Sequence, residues 1–153
     1  MTVIAANPYM IAGDRRIQDS SDLNTTLTIP KIAQGANCLI GVAGEAGVCL
    51  DILHDDITIK PGGYKEIRVF VKSLHKRLCK DYEDPEYDLL IVYDQSVWSF
   101  SAGVLLQHEY YAIGSGGHIA LGAMAHGASP AEACEYAIQF IGSCGGPVDA
   151  IKC

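Results

Sequence analysis

No stretch of the 153-residue chain reaches the roughly 18 consecutive apolar residues that a membrane-spanning helix requires. Basic charge is scarce: 11 Lys and Arg stand against 18 Asp and Glu, for a net charge of -7. Nucleic acid needs a basic face to meet its phosphates, and no run of Lys or Arg is long enough to make one. There is no C-x-x-C pair. Cys38, Cys49, Cys79, Cys134, Cys144 and Cys153 are scattered, and the five histidines show no ligand spacing, so no metal is expected. The opening Met1-Thr-Val-Ile-Ala-Ala lacks the basic start of a secretion signal, and Asn7-Pro8 interrupts its apolar run. Reduced thiols in a cytoplasmic protein are therefore expected rather than a disulfide framework. With 49% hydrophobic residues the chain is not disordered, and its length suits one domain over residues 1–153.

What is present reads as strands and helices in alternating pairs. Thr2 to Ala6 and Tyr9 to Ala12 are short apolar runs around Asn7-Pro8, the pattern of a tight hairpin. Gln18 to Pro30 is polar and reads as a loop with an edge strand at its end. Ile32–Ala33 and Cys38 to Ala43 flank a turn at Gln34-Gly-Ala-Asn37. Helical spacing follows at Glu45–Asp55 and at Tyr64–Lys80, where Ile67, Val71, Leu74 and Leu78 recur at three and four residues. The Lys65, Arg68, Lys72, Lys76 and Lys80 stripe on the latter reads as a solvated face. Tyr87 to Tyr93 is a continuous apolar run, expected as a strand buried on both faces. Strands at Val97–Ala102 and Val104–Leu106 precede a helix at Gly116–His126. Ser129-Pro-Ala-Glu132 carries a capping box with proline at the first helical position, so a second helix starts there. Val148 to Cys153 closes the chain as a strand. Antiparallel hairpins with helices in consecutive pairs predict two packed sheets with helix layers outside.

Thr2 is the first residue to weigh for chemistry. Freed of Met1, it would hold a nucleophilic hydroxyl and a basic amine in one residue. The amine suits the task because its ordinary pKa is about 7.7–8.0. Asp14 and Arg16 end the strand that pairs with the one carrying Thr2, and Lys31 opens the next strand pair. An ammonium at the amine would tune it, with Asp14 orienting the lysine; an ordinary buried ion pair fits the same residues. Gly41, in Ile40-Gly-Val-Ala-Gly44, is placed either to offer its N–H to an oxyanion or to fit a crowded turn. Ser115, in Gly114-Ser-Gly-Gly117, either caps a helix or relays a proton to the amine.

Several stretches resemble the β-type subunits of the proteasome and the bacterial HslV peptidase: Thr2, Ile11-Ala-Gly-Asp-Arg-Arg16, Lys31, Leu39-Ile-Gly-Val-Ala-Gly-Glu45, Ala112-Ile-Gly-Ser-Gly-Gly117 and Cys144-Gly-Gly-Pro-Val-Asp149. They stand in the family's order and span nearly the whole chain. The resemblance implies an α+β fold, the four-layer αββα sandwich of N-terminal-nucleophile hydrolases with two mainly antiparallel sheets. It implies Thr2 as nucleophile, Asp14 and Lys31 as its charged partners, Gly41 as oxyanion donor and Ser115 as the amine's assistant, with Arg16, Ser143 and Cys144 in support. It further implies homo-oligomeric stacked rings, unfolded protein or peptide as substrate, no cofactor in the subunit, and ATP consumed only by a partner AAA+ unfoldase. The chain departs from the pattern where many members carry an Asp and then a Ser before Gly-Gly: here stand Ile141 and Cys144. A catalytically inactive ring or scaffold protein and a small-molecule amidohydrolase are the alternatives.

Overall fold

A computed structural model describes residues 2–17 and 28–153. Met1 and most of the expected polar loop lie outside the described residues. At that loop's end Thr28 bridges Arg16, and the Ile29 N–H donates to the Arg15 carbonyl at 3.0 Å, so an edge pairing does form there.

The N-terminal hairpin pairs β1 (Ile4–Asn7) with β2 (Met10–Asp14), Asn7 opposite Met10, across the two-residue turn Pro8-Tyr9. Asn7 Oδ1 accepts from the Tyr9 N–H at 3.0 Å, the local bond that makes asparagine a turn former. β3 (Ile32–Gln34) and β4 (Leu39–Gly44) form the second hairpin, followed by α1 (Ala46–Leu53) and α2 (Tyr64–Asp81). A meander of β5 (Tyr87–Tyr93), β6 (Ser96–Ser101) and β7 (Val104–His108) leads to β8 (Tyr111–Ile113), α3 (Gly117–Ala125), α4 (Pro130–Phe140) and β9 (Val148–Lys152). β8 was not anticipated as a strand of its own; three residues are too few for alternation to show.

Pairing gives a four-stranded sheet, β8-β1-β2-β9, and a five-stranded sheet, β3-β4-β5-β6-β7, both antiparallel throughout. Three apolar clusters define the layers. Val3, Ala5, Ala12, Ala133, Cys134 and Ala137 join α3 and α4 to the first sheet. Ile4, Ile11, Ile32, Leu39, Leu90 and Val92 fill the space between the sheets. Ile40, Val42, Ile67, Val71, Leu74, Leu89 and Ile91 join α1 and α2 to the second sheet. The result is the expected αββα sandwich. β5 alternates between the last two clusters, which is why its sequence is apolar at successive positions. The α4 capping box is present, with the Ser129 hydroxyl accepting from the Glu132 N–H.

Candidate active site

Thr2 sits two residues before the start of β1, fastened at its backbone. Its N–H donates to Ser115 Oγ at 3.2 Å, and its carbonyl accepts from the Gly116 N–H at 3.1 Å and the Ser115 hydroxyl at 3.3 Å. The turn after β8 can come this close only because residue 114 is glycine. Gly114 has φ +85°, and a Cβ there would lie 2.3 Å from the Thr2 carbonyl oxygen. The Thr2 nitrogen is thus held against a hydroxyl before any processing of the terminus.

Asp14 ends β2 one register position from that nitrogen, opposite Val3. The Asp14 N–H donates to the Val3 carbonyl at 3.1 Å, while Asp14 Oδ1 accepts from the Val3 N–H at 2.9 Å and from Lys31 Nζ at 2.8 Å. Oδ2 accepts from the Gly145 N–H at 3.0 Å. Asp14 is 0% exposed and Lys31 5%, so this is a charged pair withdrawn from water. Such a pair is tolerable because the carboxylate is satisfied on both oxygens and oriented from three directions.

Thr2, Lys31, Val42, Gly44, Ala46 and Cys49 line a pocket of about 60 Å³, which continues toward Arg16 and Pro30. Its wall is apolar apart from Thr2 and the charged groups. Burial pushes the Cys49 thiol up to about 11, only partly offset by the Lys31 ammonium, so it stays protonated near neutral pH.

Gly41 is not in that wall. It lies mid-strand between Ile32 and Leu90, and a Cβ on it would meet Ile4 Cγ2 at 2.6 Å and Ile11 Cδ1 at 3.0 Å. Its small size lets the two sheets approach. The Val42 N–H is already taken by the Lys31 carbonyl at 3.0 Å. Two residues further on, alternation turns the Gly44 N–H to the same edge of β4, past the point where β3 begins and at the pocket. Among these glycines, Gly44 is the one placed to offer a backbone donor to a group bound beside Thr2.

The loop between α4 and β9 completes the surroundings. Arg16 Nη1 donates to the Gly142 carbonyl at 2.7 Å and the Cys144 carbonyl at 3.5 Å, and the Arg16 N–H donates to the Gly145 carbonyl at 3.0 Å. Arg16 thereby holds the segment that presents the Gly145 N–H to Asp14 and the Cys144 thiol to Ser115, 3.6 Å from Oγ. Burial raises the Cys144 pKa, opposed by the bond to Ser115. Ser143 does not join this network: its hydroxyl is buried with no hydrogen-bond partner among the described residues. Ile141 packs against the α3–α4 cluster, so no carboxylate stands at that position.

Neither a family model nor a curated protein matches the chain. Solved structures do. BPH from Thiobacillus denitrificans superposes with a TM-score of 0.77 at 21% identity, over 99% of this chain and 96% of that one. The chain has the fold of these proteins. Eukaryotic HslV from Trypanosoma brucei gives 0.67 at 16% identity over 99% and 97% of the two chains. The Anbu complex of Pseudomonas aeruginosa, a helical assembly, gives 0.69 at 12% identity over 99% and 80%. The resemblance read from the sequence is met at the level of the fold.

Of the residues singled out from sequence, Thr2, Asp14, Lys31, Ser115, Arg16 and Cys144 gather around one pocket and its supports, while Gly41 and Ser143 stand outside that network. Gly44, Cys49 and the Gly145 N–H were missed. Gly44 was visible as the second glycine of Gly-x-x-Gly, but its direction depends on strand register.

Proposed function

We propose that the chain is a threonine-type peptidase subunit whose nucleophile is Thr2 once Met1 is removed. The observation that carries this reading is the Thr2 nitrogen, 3.2 Å from Ser115 Oγ and beside the buried Lys31–Asp14 pair at one end of the N-terminal hairpin. With Met1 gone, that nitrogen becomes an amine able to accept the proton of the Thr2 hydroxyl. The hydroxyl oxygen attacks the scissile carbonyl, the Gly44 N–H donates to the oxyanion, and the amine returns the proton to the leaving nitrogen. Water then hydrolyses the acyl-enzyme ester. Lys31, held by Asp14, supplies a fixed positive field at the reacting atoms. Ser115 orients the amine and passes its proton.

The same reading makes the chain a cytoplasmic subunit of a self-compartmentalising, homo-oligomeric protease that takes unfolded protein or peptide from an AAA+ unfoldase. Stacked rings are the expected form; a helical array such as that of the Anbu complex would give an open-ended mass distribution instead, and native mass measurement separates the two. The decisive test compares Met1-free protein, verified by intact mass, with its Thr2→Ala variant in fluorogenic peptide hydrolysis. The variant is expected to fall to background, and equal hydrolysis by the two overturns the proposal. Epoxomicin, with which BPH has been solved in complex, is expected to inhibit the processed protein.

One observation favours a second reading, an inactive ring or scaffold subunit. Position 141 offers an isoleucine packed among helices where the resemblance calls for an acid. Retention of Met1 in protein from the native host would decide for it, because an amide nitrogen is not a base.

A further inference from the structure

A second group of nucleophilic and titratable side chains, none of them lining the Thr2 pocket, lies where the C-terminal end of α2 covers the five-stranded sheet. Cys79 is exposed on the last turn of α2, and its Sγ lies 3.6 Å from Nε2 of His75, one turn earlier. His75 Nδ1 lies 3.2 Å from the hydroxyl of buried Tyr87 on β5. The imidazole is also fixed by packing: its centroid is 6.0 Å from the Tyr87 ring and 6.4 Å from that of Phe100, edge-on to the latter. Sulfur, imidazole and an orienting hydroxyl therefore form a chain, with the nucleophile at the solvent end and the orienting group in the core. That is the order in which an activated thiol is assembled. No other described cysteine has a histidine within hydrogen-bonding distance.

We propose that Cys79 is a reactive thiol, activated by His75, that takes up anionic low-molecular-weight disulfides of the glutathione type as a mixed disulfide. With Nδ1–H donated to the Tyr87 oxygen, the Nε2 lone pair faces the thiol and accepts its proton. The sulfur attacks one sulfur of the reagent, the new S–S bond forms, and the reagent's own S–S bond breaks. The departing thiolate carries away the electron pair and recovers the proton from the imidazolium. Cys79 is oxidised, the reagent is reduced, and one free thiol is released. Burial pushes the Tyr87 hydroxyl up to about 12, so the orienting group keeps one protonation state while this happens. Preference for an anion follows from the surroundings: Lys72, Lys76 and Lys80 are exposed on the same helix, Lys76 one turn before Cys79 and Lys80 next to it, against Asp81 and Glu83.

The test uses the reduced full chain, with Cys153 as reference because it is also exposed but has no histidine partner. Oxidised glutathione is added at neutral pH, and modification of each cysteine is followed by peptide mass mapping. Cys79 is expected to react about tenfold faster than Cys153, and faster with oxidised glutathione than with the cationic disulfide cystamine. His75→Asn is expected to lower the Cys79 rate several-fold while the Cys153 rate stays constant; that constancy reports that the fold is intact. Tyr87→Phe, which removes only the orienting oxygen, is expected to slow Cys79 by a smaller factor. Equal rates for the two cysteines in the parent chain, or an unchanged Cys79 rate in both variants, overturns the proposal. Cystamine matching glutathione overturns the preference for an anion.

Discussion

The two sheets share an interface but are made from different residues. β1 and β2 read Ile-Ala-Ala-Asn and Met-Ile-Ala-Gly-Asp, and the helix against them contributes Ala133, Cys134 and Ala137. β5 and β6 read Tyr-Asp-Leu-Leu-Ile-Val-Tyr and Ser-Val-Trp-Ser-Phe-Ser, facing Ile67, Val71 and Leu74. Small side chains bring α4 almost onto the backbone of the first sheet, where Cys134 Sγ lies 3.5 Å from the Ala12 carbonyl. Large ones hold α2 away from the second sheet but bury far more apolar surface, which is where most stabilisation originates. Under the proposed function the division extends to the site. Thr2 leads into one short, closely braced strand of the first sheet and Asp14 ends another, the setting that a catalytic group needs if its geometry is to stay fixed. The second sheet adds bulk, and from its edge Lys31 and Gly44 reach the same pocket.

The strongest way to break that contrast is to remove the charge partner. Lys31→Met leaves the Asp14 carboxylate 0% exposed and without its ammonium. It is expected to cost about 3–5 kcal/mol in urea unfolding and to abolish any Thr2-dependent hydrolysis. Ile91→Val, in the middle of the second sheet, is expected to cost only about 0.5–1.5 kcal/mol. If the two changes proved equal, the stability of the first sheet would not depend on its ion pair.

A smaller effect tests what Gly41 does. Gly41→Ala drives a methyl against Ile4 and Ile11 between the sheets and is expected to lower stability by about 1–3 kcal/mol. Adding Ile11→Val, which removes the Cδ1 methyl that the new side chain meets, should recover part of that loss, since the two sites are in contact. Peptide hydrolysis per folded molecule should recover with it. Stability restored without hydrolysis would mean that Gly41 matters to the site beyond letting the two sheets approach.

These cases show where reading the sequence stopped. The hairpin turn at Asn7-Pro8 was legible, and it brought Asp14 to the correct end of β2. The one-residue offset that pairs Asp14 with Val3 was not, because it depends on how many residues the turn consumes. The α2 face was legible because Ile67, Val71, Leu74 and Leu78 recur at three and four residues over about three turns. Gly41 and Gly44 lie three apart in one strand, so their N–H groups face opposite edges; only the Ile32–Gly41 register assigns them. The contacts of Arg16 with Gly142 and Cys144 close a separation of well over a hundred residues, and local pattern carries no trace of such pairings. The same holds for Tyr87 behind His75, whereas the His75–Cys79 spacing is visible in the sequence itself.

The smallest expected effect lies at the seam where the chain passes from one sheet to the other. His108 ends β7 and stacks on Tyr111 of β8, centroids 4.0 Å apart, while its Nε2 lies 2.8 Å from Oγ of buried Ser99. Burial lowers the His108 pKa from its usual value near 6.5. The unfolded chain therefore takes up a proton at this residue before the folded chain does as the pH drops. This contribution to stability is fully present above about pH 6.5 and is lost progressively below it, until the folded form also protonates. His108→Gln keeps a group able to bond Ser99 but removes the titration. The fall in urea midpoint between pH 7.5 and pH 5.5 should be smaller in this variant than in the parent, since the other four histidines act alike in both. Equal falls would mean that the stacked imidazole is as easily protonated in the folded seam as in the open chain, and that burial by the two sheets does not reach their shared edge.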